Sequence, residues 1–193
     1  IAVVVAGAQS FDAVYLERVF AFKPSEIGSL IGAAGLLSIF GYYFGGALCD
    51  RLTVHDAGWA LRLPVIFLAF HLFLAIVYYL APNRATVIAI ALTGPFLPAT
   101  LPIVLATIQN LSPATMRSRA AALLLTVSTL VGVGLGAPIA GAISDAITPT
   151  YGNESIRFAL LAIVVTGWLW AMLHYWIGSR TLTRDIAAKT MRR

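Results

Sequence analysis

Apolar runs, each close to the roughly twenty residues an α-helix needs to cross a bilayer, follow one another along this chain almost without interruption. They fall near 1–21, 26–48, 63–81, 85–110, 115–146 and 155–178. With 60% hydrophobic and only 11% charged residues over 193 positions, too little polar surface remains to coat a water-soluble globule. A membrane barrel would need shorter segments of strict alternation, and the sequence has none. The predicted fold is therefore an all-α integral membrane protein with six transmembrane helices. Ile1 opens inside an apolar run that lacks a basic leader and contains Asp12, Glu17 and Arg18. That run reads as a span beginning further upstream, not as a signal peptide.

Turn chemistry marks the joins. Pro24 and Glu26 suit a helical first turn, where a missing N–H costs nothing and negative charge meets the positive end of the helix. Ser112-Pro113 and Asn153-Glu154 repeat the signal before the fifth and sixth spans. The connections then alternate between two faces. Arg51, Arg62, Arg117, Arg119, Arg180, Arg184, Lys189, Arg192 and Arg193 fall on one, against Arg18, Lys23, Arg84 and Arg157 on the other. By the positive-inside rule both ends of the segment are cytoplasmic, in a plasma or bacterial inner membrane. Residues 1–179 form the bundle and 180–193 a basic cytoplasmic tail. The same scatter of basic residues at helix ends accounts for the net charge of +5 without nucleic acid. Tyr78, Tyr79, Tyr175 and Trp176 suit interfacial belts, or equally ordinary packing.

An internal repeat is visible. Gly41 precedes Gly46-Ala47-Leu48-Cys49-Asp50, and 95 residues later Gly136 precedes Gly141-Ala142-Ile143-Ser144-Asp145. One copy ends the second span and the other the fifth, so the two run in opposite directions through the membrane. That is the pattern of a three-plus-three inverted repeat, although small residues also serve close helix packing in lipid.

Gly46-Ala47-Leu48-Cys49-Asp50-Arg51-Leu52 resembles the G-x-L-x-D-R signature of the major facilitator superfamily. The resemblance implies a cytoplasmic gate formed by Gly46, Asp50, Arg51 and Arg62, although the usual basic residues after Leu52 are replaced by a longer loop, Thr53 to Leu61. A longer match narrows the family. Gln109-Asn110-Leu111, Pro113, Met116-Arg117, Ala120, Ala122 to Leu125, Gly132, Gly134-Leu135-Gly136, Pro138, Gly141 and Ser144-Asp145 are similar to the tenth-to-eleventh helix region of spinster-like transporters. Leu16, Arg18 and Pro24-Ser25-Glu26-Ile27-Gly28 fit the same family. The pattern departs at Gly136-Ala137-Pro138, where Gly-Pro is more usual. The resemblance implies the carboxy-terminal six-helix bundle of such a transporter, partnered by an absent amino-terminal bundle and the lipid bilayer. It also implies a small amphipathic, lipid-like or organic-anion substrate, moved by alternating access with proton coupling. Gly132, Gly136, Pro138, Gly141 and Asp145 are then helix-packing positions.

The polar residues inside the spans are the candidates for function. Gln9, Asp12 and Tyr15 lie three apart and form one helical stripe, and an intramembrane aspartate faces a bundle interior or an aqueous cavity. There it is suited to carry a proton or to anchor neighbouring helices. Thr93-Gly94-Pro95-Phe96-Leu97-Pro98-Ala99-Thr100-Leu101-Pro102 places three prolines in one span, so the helix must bend or unwind, and Thr93 and Thr100 could meet a ligand or bond internally. His71 is a proton relay or a satisfied packing partner. His55, His71 and His174 share no ligand spacing, and Cys49 stands alone, so no metal site, disulfide or cofactor is expected. An intramembrane lipid-modifying enzyme would need a convergent set of His, Asp or Glu, for which only Asp12 and His71 are deep enough. A structural membrane protein would explain neither the repeat nor the gate motif.

Overall fold

A computed structural model of the chain describes residues 2–94 and 100–191. It is an all-helical bundle of α1 (Ala2–Phe20), α2 (Pro24–Thr53), α3 (Trp59–Tyr79), α4 (Arg84–Thr93), α5 (Thr100–Leu111), α6 (Arg117–Tyr151) and α7 (Ser155–Met191). Three helical stretches among the described residues are long and apolar enough to cross a membrane: Pro24–Thr53, Trp59–Tyr79 and Ala114–Ile186. The last comprises α6 and most of α7, folded back at Gly152, whose φ of 55° suits glycine. The shorter helices α4 and α5 are apolar as well.

Local chemistry sets these boundaries. Pro24 opens α2 and Glu26 stands in its first turn, as the sequence predicts; the Glu26 carboxylate accepts the Lys23 backbone N–H at 2.7 Å. Asn83 caps α4 by accepting from Thr86 N at 3.0 Å. After Pro113 the chain makes a single 3₁₀ turn, Ala114–Met116, before α6 begins. Two boundaries differ from expectation. The predicted span 85–110 is two helices, α4 ending at Thr93 with Gly94 as its C-cap, and Pro95 and Pro98 of the proline run lie outside the described residues. The basic segment after 179 continues the last helix to Met191, because no proline or glycine follows Gly178. At 1.5 Å per residue the 37 residues of α7 extend about 55 Å, well beyond a bilayer core.

Without a hydrophobic drive between helices in lipid, close packing carries more of their association. The most extensive interfaces are α1 with α6 and α3 with α7. At the first, a Cβ on Gly7 would stand 2.8 Å from the Gly136 carbonyl oxygen, so only glycine lets the backbones approach this closely. The second interface carries Leu68, Leu160 and Val164, all fully or almost fully buried. Burial follows one register in α2 and α6. Gly41, Gly45 and Cys49 are buried in α2, and 95 positions later Gly136, Ala140 and Ser144 are buried in α6, while Asp50 and Asp145 are both exposed.

Polar contacts close each end of the bundle. At one end Arg84 pairs with Glu26 at 2.8 Å and lies over the Phe22 ring. Arg157 there pairs with Glu154 at 2.9 Å and lies over Phe20. At the other end Asp56, in the α2–α3 loop, accepts from Gly58 N, Thr183 Oγ1 and Arg62 Nη1, each at 2.8 Å, which fastens the loop to α7. These bonds, Gly58 N–H and Thr183 first, with the Arg62 charge, hold the Asp56 carboxyl below its ordinary range. A depressed folded pKa gives stability that is complete above the unfolded carboxyl value, near 3.9, and is lost as pH falls through the folded one. Asp56→Ala is expected to speed amide exchange in residues 53–58 at neutral pH. After correction for the intrinsic pH dependence of exchange, the difference from wild type should vanish once Asp56 is protonated. Identical protection at pH 7 would show that the clasp does not hold the loop.

Candidate functional site

The polar stripe of α1 meets α3 at the Asp12 carboxylate. Asp12 is half-buried, and the Tyr78 hydroxyl donates to its Oδ1 at 2.9 Å. Tyr15, one turn further along, is fully buried and donates to the Tyr78 carbonyl oxygen at 2.7 Å. The Tyr15 ring packs edge-on against Tyr79 at 5.2 Å. Two turns of α1 are thus tied to the end of α3 by the Tyr15 and Tyr78 hydroxyls, each of which has an acceptor in an apolar setting. Tyr78 and Tyr79, whose spacing suited an interfacial belt, lie inside the bundle, and Tyr79 is buried.

Beside this junction lies a cavity of about 380 Å³, within the range of small-molecule sites. It is lined by Gln9 and Asp12 of α1, Ser38 of α2, His71 and Tyr78 of α3, and Trp168 of α7, among a larger set of apolar side chains. The structure therefore brings Gln9, Asp12 and His71 to one space. Tyr15 backs that space without lining it. Thr93 is exposed and donates to Ile90 O at 3.0 Å. Thr100 is buried, its hydroxyl without a partner among the described residues, and neither threonine is among the lining side chains.

Two lining side chains hold polar atoms that find no partner among the described residues. His71 turns its Nε2 edge to the Gly94 backbone and its ring stands edge-on to Trp168 at 5.7 Å. Both His71 Nδ1 and Trp168 Nε1 are buried without a hydrogen-bond partner among the described residues. Trp168 and Tyr78 line the cavity without having been among the pathway residues that the sequence singled out. Tyr78 was visible only as one of a tyrosine pair, and Trp168 carried no signal of its own.

The gate residues separate. Arg62, which the resemblance implied would join Asp50 and Arg51 in a gate, is bonded to Asp56 at 2.8 Å. The replaced loop supplies a nearer carboxylate, six positions away. Asp50 and Gly46 instead line a second cavity, of about 440 Å³, with Asn110 of α5 and Leu182 of α7. Arg51 is exposed. On α6, Gly132 and Gly136 are buried, Gly141 meets only the tip of Phe11 at an ordinary 3.6 Å, and Pro138 and Asp145 are exposed. The helix continues through Pro138. Among the described residues no group of three His, Cys, Asp or Glu stands close enough to hold a metal ion.

The chain is similar to a protein of Mycolicibacterium smegmatis described as an MFS-type efflux pump, with 28% identity over 179 residues, 92% of this chain and 42% of that protein. That relative is a transporter. The chain spans less than half of its length. No family model matches the chain, and no solved structure matches it. The apolar helices and this relative together support an integral membrane protein.

Proposed function

We propose that this chain is one six-helix bundle of a major facilitator secondary transporter, spinster-like, that moves a lipid-like solute by alternating access with proton coupling. The observation that carries the reading is the cavity in which Asp12, Gln9 and His71 converge within an apolar bundle. Similarity over nearly the whole chain to an efflux pump supports the same class. The inverted repeat is supported by the shared burial register of α2 and α6 and by the helix pairings. α1 packs on α6 as α4 and α5 pack on α2, and α1 on α7 as α4 and α5 on α3. Exchanging the first three helices with the last set maps each of these pairings onto another.

The lining favours a lipid-like solute over an organic anion. Among the described residues Asp12 is its one acidic side chain and no Lys or Arg joins it, so an anion would meet repulsion with no compensating charge. A lipid-modifying enzyme is disfavoured by hydrogen bonding. Ser38 donates to Gly35 O, Asp12 accepts from Tyr78, and His71 faces Gly94, so no nucleophile, base and orienting acid are linked. The reading is tested with the intact protein in proteoliposomes carrying an imposed pH gradient. Efflux of a fluorescent lipophilic solute should accelerate with the gradient and return to the empty-vesicle rate when a protonophore collapses it. Flux indifferent to the gradient would remove proton coupling, and the absence of any protein-dependent flux would remove transport.

A further inference from the structure

The fourth span is interrupted inside the bundle, and the interruption needs partners that lipid does not supply. From the ion-paired Arg84, the 10 residues of α4 run about 15 Å at 1.5 Å each, half of a hydrocarbon core roughly 30 Å thick. A helix leaves its last carbonyls without partners of its own. In a membrane such groups must be satisfied by protein or by water. Two side chains serve this end. Thr93 Oγ1 donates to Ile90 O at 3.0 Å from within α4. His71 comes from α3, its ring hydrogen-bonded to the backbone of Gly94, the C-cap residue. The approach is close enough to favour glycine. A Cβ at Gly94 would stand 3.3 Å from His71 Nε2, and an imidazole already edge-on to Trp168 at 5.7 Å would relieve that crowding by moving off the carbonyl. The contact also places the proton. A ring nitrogen facing a carbonyl must donate, so a neutral His71 carries its hydrogen on Nε2 and leaves Nδ1 as a lone pair.

We propose that His71 is a positioning residue, an interhelical cap that holds the end of α4 at the cavity wall, and that the imidazole contributes this bond and not a transferred proton. Ring and helix end belong to the same wall, since His71, Ile90, Ala91 and Gly94 all line it. Whatever fills the cavity therefore bears on the group that holds the interruption in place. The consequence for flux rests on the transport reading. The cap itself does not.

Substitution separates the two roles. His71→Gln keeps a side-chain N–H close to the place of Nε2 and carries no proton, while His71→Leu removes both. Amide hydrogen exchange of the intact protein in nanodiscs reads the cap. Across residues 90–94 exchange should rise about fivefold or more in His71→Leu, the result of leaving a buried carbonyl unpaired, and return to within about twofold of wild type in His71→Gln. Gly94→Ala keeps the imidazole but crowds it, and should raise exchange there as well. Nitrogen-15 histidine spectra at about pH 8, where a free imidazole is neutral, read the tautomer. His71 is expected with its hydrogen on Nε2. His174, whose Nδ1 meets the Trp170 carbonyl at 2.8 Å, is expected with its hydrogen on Nδ1 and serves as the opposite reference. His55→Gln and His174→Gln, both at exposed positions, assign the signals. A His71 hydrogen on Nδ1, or unchanged exchange in both His71→Leu and Gly94→Ala, would overturn the cap. If His71→Leu fails to fold by circular dichroism, the wild-type tautomer and Gly94→Ala decide. In the proteoliposome assay His71→Gln should keep the wild-type flux and His71→Leu should not. Flux lost equally in both, with exchange restored in His71→Gln, would make the imidazole a proton carrier and overturn the positioning role. Exchange and tautomer are read without flux, so a protein that moves no solute would fail the transport reading and leave the cap standing.

Discussion

Asp12→Asn is expected to bring gradient-driven flux through the intact protein down to near the empty-vesicle rate, a loss of about thirtyfold or more, with yield and helix content unchanged. The magnitude is the low end, about 2 kcal/mol, for truncating a charged group inside an interface, here the one acidic side chain among the cavity's described lining residues. The fold should survive because the amide oxygen of asparagine can still accept from the Tyr78 hydroxyl, which now donates to Asp12 Oδ1 at 2.9 Å. Tyr15 keeps its own bond to the Tyr78 carbonyl oxygen. Tyr78→Phe separates the two roles. It leaves the charge and removes its partner, so it should weaken flux less than Asp12→Asn does. Initial rates of solute efflux under a fixed pH gradient measure both, and wild-type rates in Asp12→Asn would remove the carboxylate from the transport path.

The second large effect is structural. Gly7→Ala should lower stability by about 1–3 kcal/mol, the usual cost of forcing atoms into a packed interface. The new methyl group would stand 2.8 Å from a backbone carbonyl oxygen of α6, and backbone cannot swing aside as a long side chain can. The whole α1–α6 interface must open to accept it. Gly46→Ala is the matched control. Although it belongs to the gate motif, a Cβ there meets nothing within 4 Å, and alanine is the better helix former by up to about 1 kcal/mol. Thermal unfolding in detergent should therefore fall for Gly7→Ala and hold or rise for Gly46→Ala. A lower unfolding temperature for Gly46→Ala would reverse this assignment of packing roles.

Much of the architecture was legible because it depends on local rules. Helix positions followed from apolar run length and from start signals such as Pro24 with Glu26, which stand in the first turn of α2. The last helix outran its predicted end because hydropathy registers where lipid stops and not where a helix does. Residues 180–191 are polar yet contain no helix breaker. The proline run correctly marked an interruption between α4 and α5, but its meaning for a ligand rests on residues outside those described. The candidate site was half legible. Asp12 and Gln9 stood out because polar side chains are expensive within a span, and His71 for the same reason. Tyr78 and Trp168 are ordinary membrane-helix residues by composition. Their place in the cavity depends on contacts of Tyr78 with Asp12 and of Trp168 with His71, across 66 and 97 positions of chain, which helical periodicity does not encode. The gate residues are a different case. A motif match names residue types, while the pairing of Arg62 was decided by which carboxylate the longer loop brought nearest.

The three bonds that Asp56 accepts have a practical consequence for measuring motion in this protein. Because they join the α2–α3 loop to α7 beyond its apolar stretch, these two pieces form a single rigid reference frame. Spin labels at the exposed positions His55 and Arg184 would report a constant separation while the rest of the molecule rearranged. Such a pair is an internal ruler. Distances from it to a label on α1 or α6 would isolate the moving parts without any outside standard.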